Sequence, residues 1–206
     1  MNNYNYIAFC YTNLVKAIFG NSLKKAQEIH IKNLPETGNV LFIGGGNGTV
    51  LKLINQLKPN LKIDYIDQSK KMISLSRVLA GTDSTNFIIG NEHAIPNKNY
   101  DAIITFFFLD LFQKDKRISI ISLLKSKLKN EGIWLVADFN APTNWKQQLT
   151  EKMMFWFLKV TTKIESDRIE NYRDNLSHIE LNETHATTFN NGFVFSSVFI
   201  KVGVKP

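Results

Sequence analysis

The chain has 206 residues, 44% of them apolar, enough for one domain with a sizeable core. Its net charge of +7 sits on lysines spread along predicted helical faces (Lys24, Lys25, Lys52, Lys70, Lys71, Lys125, Lys127, Lys129), which argues against a nucleic-acid footprint and leaves peripheral contact with an acidic or membrane surface open. No stretch nears the ~18–20 apolar residues of a membrane span, the lone Cys10 excludes an internal disulfide, and Met1–Tyr6 lacks a secretory pattern, so a cytoplasmic location is expected.

Along the chain, residues 11–33 carry Leu14, Ile18, Leu23, Ala26 and Ile29 at helical spacing and stop at Pro35 and Gly38. A strand is predicted at 39–44 and a helix at 47–57, ending before Pro59. Between them Gly44, Gly45, Gly46, Asn47 and Gly48 form a tight turn into a helix N-terminus, the unit that cradles nucleotide-like ligands. Strand two spans 61–67, and Ser69 caps a helix that runs to Ala80. Strands three and four are predicted at 87–89 and 102–106. A helix at 115–129, a turn at 130–132 and strand five at 133–137 follow. The long helix at 144–163 carries Trp145, Leu149, Met153, Trp156, Val160 and Ile164 as a stripe read as core packing, with Phe155 and Leu158 left to face a cavity or a partner. Two β-like runs, 181–189 and 193–202, flank Asn190-Asn191-Gly192, a hairpin signal. This order predicts an α/β fold, doubly wound, with a seven-stranded, mostly parallel sheet closed by a C-terminal antiparallel hairpin. No internal repeat or linker divides the chain, so residues 1–206 are expected to form one domain.

In an open parallel sheet, ligands bind beyond the carboxyl ends of the strands, so the residues just after each strand are the candidates. Asp67 ends strand two, where it can accept from a pair of ribose hydroxyls; Asp64 is mid-strand. Gly90-Asn91-Glu92-His93 follows strand three, and Phe106, Phe107 and Asp110 follow strand four.

The spacing Gly44-x-Gly46-x-Gly48 departs from the dinucleotide pattern G-x-G-x-x-G, because Thr49 comes next. It resembles the first motif of class I S-adenosylmethionine (SAM) dependent methyltransferases, which have a Rossmann-like fold. The resemblance extends over most of the chain. It is strongest at 39–112, where Asp67-Gln68-Ser69-Lys70-Lys71-Met72 is similar to the family's Asp-x-Ser-x-x-Met and Tyr100-Asp101-Ala102 to its approach to strand four. It implies that residues 44–48 wrap SAM, that Asp67 meets the ribose with Gln68 among the cofactor contacts, and that Met72 covers the adenine. It also implies that Asn91 or Glu92 accepts from the adenine amine, Asn91 standing where the family has an acid, and that Phe106 closes the pocket. One departure is Phe42, two residues before the first glycine, where the family usually carries an acid that organises the loop.

Methyl transfer from a sulfonium is an in-line displacement that depends mainly on positioning, with SAH as product. A general base is needed only when the acceptor must lose a proton, and His93 is the candidate. His178 and His185 are read as structural and His30 as solvated at a helix end. Amino-methylating nucleic-acid enzymes place prolines after strand four, whereas this chain has Thr105-Phe106-Phe107-Phe108-Leu109-Asp110. Cys10 is misplaced as a cytosine-attacking thiolate. Asp110, Asp138 and Asn140 resemble the catechol-type metal set, but Phe139 splits it, so no metal is expected. The glycine loop also resembles aminopropyltransferases, yet Phe106–Leu109 cannot hold a polycation.

The acceptor side is aromatic. Tyr4, Tyr6, Phe9 and Tyr11 crowd the N-terminus, similar to quinone-type small-molecule methyltransferases, which implies that residues 1–34 form a helical lid. Tyr11, Phe107 and Asp110 are the expected substrate contacts. Two functions follow: SAM-dependent methylation of a small apolar or aromatic acceptor, and a non-catalytic SAM-fold binding or scaffold module, for which Phe42 speaks.

Overall fold

The structure, a computed structural model, describes residues 18–81, 84–161, 166, 168–173, 176 and 180–202. Tyr4, Tyr6, Phe9, Cys10, Tyr11, Ile164, His178 and the first half of the expected lid lie outside the described residues, as do the side chains of Leu158 and Val160.

Seven strands form one sheet in the order β3-β2-β1-β4-β5-β7-β6. Strands β1 (Gly38–Ile43), β2 (Leu61–Asp67), β3 (Thr85–Ile89), β4 (Tyr100–Phe106) and β5 (Leu128–Phe139) are parallel. The hairpin of β6 (Leu181–Phe189) and β7 (Val194–Lys201) closes the sheet, with β7 antiparallel to β5. The helices are α1 (Ser22–Glu28), α2 (Thr49–Leu57), α3 (Lys70–Ala80), α4 (Lys114–Lys127) and α5 (Trp145–Thr161). This is the doubly wound architecture expected from the alternation of short β-branched runs and amphipathic segments.

Alternation along each strand splits the core in two. Val40, Phe42, Ile63, Tyr65, Ile104 and Phe106 face one layer, and Leu41, Ile43, Ile66, Ile103 and Trp134 face the other. Burial on both faces is the reason these strands read as near-continuous apolar runs. Ser69 caps α3, its Oγ accepting from the Met72 amide at 3.3 Å. Asn190 and Asn191 take left-handed φ values of 50° and 53° in the hairpin turn, as their amide side chains allow.

Four expectations change. The N-terminal helix is shorter in its described part, where α1 gives way to a 3₁₀ turn at Ile31–Asn33. Ser196 on β7 holds this region, donating from Oγ to the Ala26 carbonyl at 2.6 Å. His30 is buried, not solvated, with Nε2 3.2 Å from the Ser196 carbonyl. The turn at 130–132 lies inside β5, where Leu128 pairs with Tyr100 and Ile133 with Ala102, so the extra residues bulge and Glu131 reaches φ 60°. In α5 the Trp145, Leu149 and Trp156 stripe is exposed, while Met154 and Phe155 are buried in the core. The helix keeps the predicted period, with its inward face turned to Met154 and Phe155.

Candidate functional site

Strand order reverses between β1 and β4, and the crevice opens at the carboxyl ends of β1, β2 and β4. Ile43 at the end of β1 stands level with Ile66 and Thr105, so the glycine turn leaves the sheet in its middle. The Gly44 amide donates to the Ile66 carbonyl at 2.9 Å, which holds the start of the loop to β2.

Gly45 and Gly46 differ in what a side chain would meet. A Cβ on Gly45 would lie 2.2 Å from the Tyr65 ring. Gly46 has φ +68° and nothing within 4 Å of its Cβ position, so its backbone faces open space. The Asp67 carboxylate is bonded to the same loop, Oδ2 accepting from the Gly46 amide at 2.9 Å and Oδ1 from the Ser69 amide at 2.8 Å. A carboxylate oxygen has a second lone pair, so Asp67, half-buried, can still accept from a ligand.

Beneath the loop Phe42 is buried, its ring centroid 5.1 Å from Tyr65 and 5.7 Å from Phe106 in edge-on contacts. An aromatic cluster thus fills the position of the family's acid. The Tyr65 hydroxyl donates to the Gly46 carbonyl at 3.0 Å. Both main-chain polar groups of Gly46 are therefore held from β2. Burial, with the charge of Asp67 adding, raises the Tyr65 pKa and keeps the phenol a donor. Tyr65 is two residues before Asp67, on the same face of the strand, and that spacing was the signal that could have found it. Tyr65→Phe keeps the ring packing and deletes one hydrogen bond. Urea unfolding should show a loss of ~1 kcal/mol, with weaker SAM binding by calorimetry; unchanged SAM affinity would remove the tether from the loop's function.

On the other side of the crevice, Phe107 has a left-handed φ of 50° and donates its amide to the Ala137 carbonyl at 2.7 Å. Its ring lies 5.1 Å from Phe139, which lies 5.4 Å from Phe193 and 5.7 Å from Phe19. The Phe108 ring would meet a Cβ on Gly44 at 2.5 Å, so the turn after β4 packs on the glycine loop.

That turn is fixed by a buried acid. Asp138 Oδ2 accepts from the Leu109 amide at 3.2 Å, the Asp110 amide at 3.3 Å and the Tyr172 hydroxyl at 2.5 Å. Its Oδ1 accepts from the Phe139 amide at 3.0 Å. Asp110, also buried, bonds to Asp138, and burial together with the Asp138 charge pushes its pKa well above the usual carboxylate range. Asp138 is raised by burial as well, against the pull of its hydrogen bonds from Tyr172 and Asp110. Among the described residues no group of three or more His, Cys, Asp or Glu side chains is placed to hold a metal.

A family model described as a methyltransferase domain matches residues 35–182, more than half of the chain, including the glycine loop and the ends of β1, β2 and β4. The chain belongs to the class I SAM-dependent methyltransferase family.

Among curated relatives, malonyl-[acyl-carrier protein] O-methyltransferase 2 of Ilyobacter polytropus is 32% identical over 117 residues, 56% of this chain and 44% of the relative. Carboxy-S-adenosyl-L-methionine synthase of Campylobacter curvus is 26% identical over 117 residues, 56% of this chain and 50% of the relative. The methyltransferase chain thus spans about half the length of these relatives. An O-methyltransferase family 2 protein from Planctomyces limnophilus, solved in complex with apigenin, shares the fold with a TM-score of 0.66 and 16% identity, covering 98% of this chain and 62% of that one.

The residues present fit SAM. Gly46 offers an open backbone face, Asp67 keeps acceptor capacity, and buried Glu92 has Oε2 without a hydrogen-bond partner. The other expected residues are distributed around this centre. Asn47 Oδ1 accepts from the Thr49 amide at 3.1 Å in a side-chain turn that leads into α2, whose N-cap is Gly48. Gln68 is exposed and Met72 half-buried at the start of α3. Asn91 Oδ1 accepts from the His93 amide at 3.1 Å, and the His93 side chain is 82% exposed with Nε2 3.5 Å from Glu92 Oε1. Phe106 lies buried against Phe42. Asp64, the rival of Asp67, accepts from the Tyr100 hydroxyl at 2.7 Å inside the fold.

Proposed function

We propose that this methyltransferase transfers a methyl group from SAM to a small apolar or aromatic acceptor by in-line displacement. Phe107, half-buried after β4 and backed by the buried rings of Phe139, Phe193 and Phe19, carries this reading. A partly exposed ring on a rigid apolar backing positions a flat ligand, and positioning is the main demand of the reaction.

When bound, SAM supplies the electrophilic methyl group. The protein's own contribution is to hold and orient. Gly44, Gly45, Gly46, Asn47 and Gly48 present backbone to the ligand. Asp67 accepts from its hydroxyl pair with Gln68 alongside. Met72 and Phe106 border the base, whose amine is met by Asn91 or Glu92. Phe107 and Asp110 belong to the acceptor side, with Tyr11 from a lid formed by residues 1–34; the stacking of Phe19 on Phe193, at 6.2 Å between ring centroids, supports the lid. His93 is assigned as base for acceptors that must lose a proton, and its exposure puts such an acceptor at the mouth of the crevice.

Calorimetry with SAM is the first test. Binding is expected, and Asp67→Ala should weaken it by at least about tenfold, the scale of a hydrogen bond to a charged group; equal affinity removes Asp67 from the ribose. A methyl-transfer screen should then include quinones, phenols, fatty acids, a malonyl thioester and RNA. The relatives' O-methyltransferase names support oxygen acceptors as the first choice. Transfer confined to charged acceptors overturns the apolar reading. Phe42 supports a second reading, a non-catalytic SAM-fold module, which absence of SAM binding would favour.

A further inference from the structure

On α5, Trp145, Leu149 and Trp156 are 69%, 50% and 62% exposed, although the opposite face is buried through Gln147, Thr150, Met154 and Phe155. At 3.6 residues per turn, Leu149 and Trp156 fall within about 40° of Trp145, which makes a single ridge. Lys152 and Lys159, both exposed, lie within about 40° on its other side. Lys146 flanks the start of the ridge, its ammonium 5.7 Å from the Trp145 ring centroid. Glu151 is the one acid of this helix; it is turned inward, where Oε1 accepts from the Ile169 amide at 2.6 Å.

We propose that this face of α5 docks the methyltransferase on an anionic lipid surface. An exposed tryptophan–leucine ridge bordered by lysines, with no carboxylate among them, matches the boundary between acyl chains and negative headgroups. A nucleic acid would satisfy the lysines but calls for no continuous ridge of large apolar side chains, and the all-cationic border, with Glu151 turned inward, favours an anionic lipid surface over a mixed-charge protein face. The chain's net charge of +7 adds attraction to the same surface. No helix among the described residues is long and apolar enough to cross a membrane, so the contact is peripheral.

The ridge has a fixed place relative to the crevice. Gln147, in the first turn of α5, donates to the Asn190 and Asn191 carbonyls at 3.4 and 3.3 Å. Phe193, part of the buried aromatic cluster behind Phe107, follows in the same hairpin. Docking through Trp145 brings that hairpin towards the bilayer. The proposal stands on the helix face alone and does not depend on which molecule receives the methyl group.

The test is flotation of the full chain with vesicles of phosphatidylcholine and of phosphatidylcholine mixed with phosphatidylglycerol, together with tryptophan emission. Of the three tryptophans Trp134 is buried, so an emission shift reports on Trp145 and Trp156. Binding to the anionic vesicles with a blue shift is expected. Trp145→Ala with Trp156→Ala should reduce the partition by at least about tenfold, and Lys152→Gln with Lys159→Gln by about fivefold per lysine with a smaller salt dependence. Both pairs are solvent-exposed, and unchanged thermal unfolding checks that each variant is folded. Absence of anionic-vesicle binding overturns the proposal, as does binding that survives the tryptophan pair. A dimer in sedimentation velocity that the tryptophan pair dissociates, without vesicle binding, assigns the face to a second copy and overturns it too.

Discussion

Gly46→Ala should leave the methyltransferase folded and weaken SAM binding by more than about tenfold, whereas Gly45→Ala should damage the fold itself. The two neighbours differ in what surrounds them. At Gly46 the added methyl meets nothing within 4 Å, so the fold bears only the strain of φ +68°, ~1–2 kcal/mol. The methyl then occupies the space through which a ligand approaches the backbone. At Gly45 the methyl falls 2.2 Å from a ring that cannot retreat. Tyr65 is packed against Phe42 and Phe87 and bonded to the Gly46 carbonyl. Overpacking at such a site costs ~1–3 kcal/mol or more. Urea unfolding and SAM calorimetry on both variants separate the effects. A Gly46→Ala protein that binds SAM like the parent would show that the ligand does not use this face.

The second large effect concerns Asp110 and Asp138, whose asparagine variants should act in opposite directions. Asp110 is held neutral in the fold by burial and by the Asp138 charge, and in the unfolded chain it ionises near an ordinary ~4. Above that pH the native state binds more protons than the unfolded state. This part of the stability is present below the unfolded pKa and is lost as pH rises through the raised native value. Asp110→Asn supplies a neutral side chain that can still donate to Asp138. It should flatten the decline and raise the melting temperature in neutral and alkaline solution. Asp138→Asn removes an acceptor that serves the Leu109, Asp110 and Phe139 amides and the Tyr172 hydroxyl. Leaving one or two of these donors unmatched costs ~3 kcal/mol. The same change frees the turn that carries Phe107 and Phe108, so SAM binding should weaken along with stability. Equal destabilisation by both variants would contradict the proton-sharing arrangement.

Much of the architecture was legible in short patterns. Leu61–Asp67 alternates between two buried layers, and Ser69 followed by apolar residues at helical spacing starts α3. The Asn-Asn-Gly turn supplies the left-handed positions that the closing hairpin requires. Asp67 was identifiable as a candidate because the end of a parallel strand is where ligands bind. Other residues were hidden for a common reason. Phe42 stood out as a missing acid; the spacing to Asp67 puts Tyr65 on the right face of its strand, but only the pairing of β2 with β1 brings its hydroxyl to the Gly46 carbonyl. Asp110 and Asp138 looked like parts of a metal set, and only the contact between the turn after β4 and the end of β5 pairs them. His30 read as a surface residue because β7, which buries it, follows 166 residues later.

By itself the sequence determined the strands and most helix bounds, the glycine turn and the SAM-binding family, because each depends on backbone preferences and spacings within a few residues. The tertiary structure decided which faces are inside: Phe42 under the loop, Asp110 against Asp138, and the Trp145–Trp156 ridge turned to solvent. A helical period fixes which residues share a face. Which way that face points is set by what the rest of the chain packs against it.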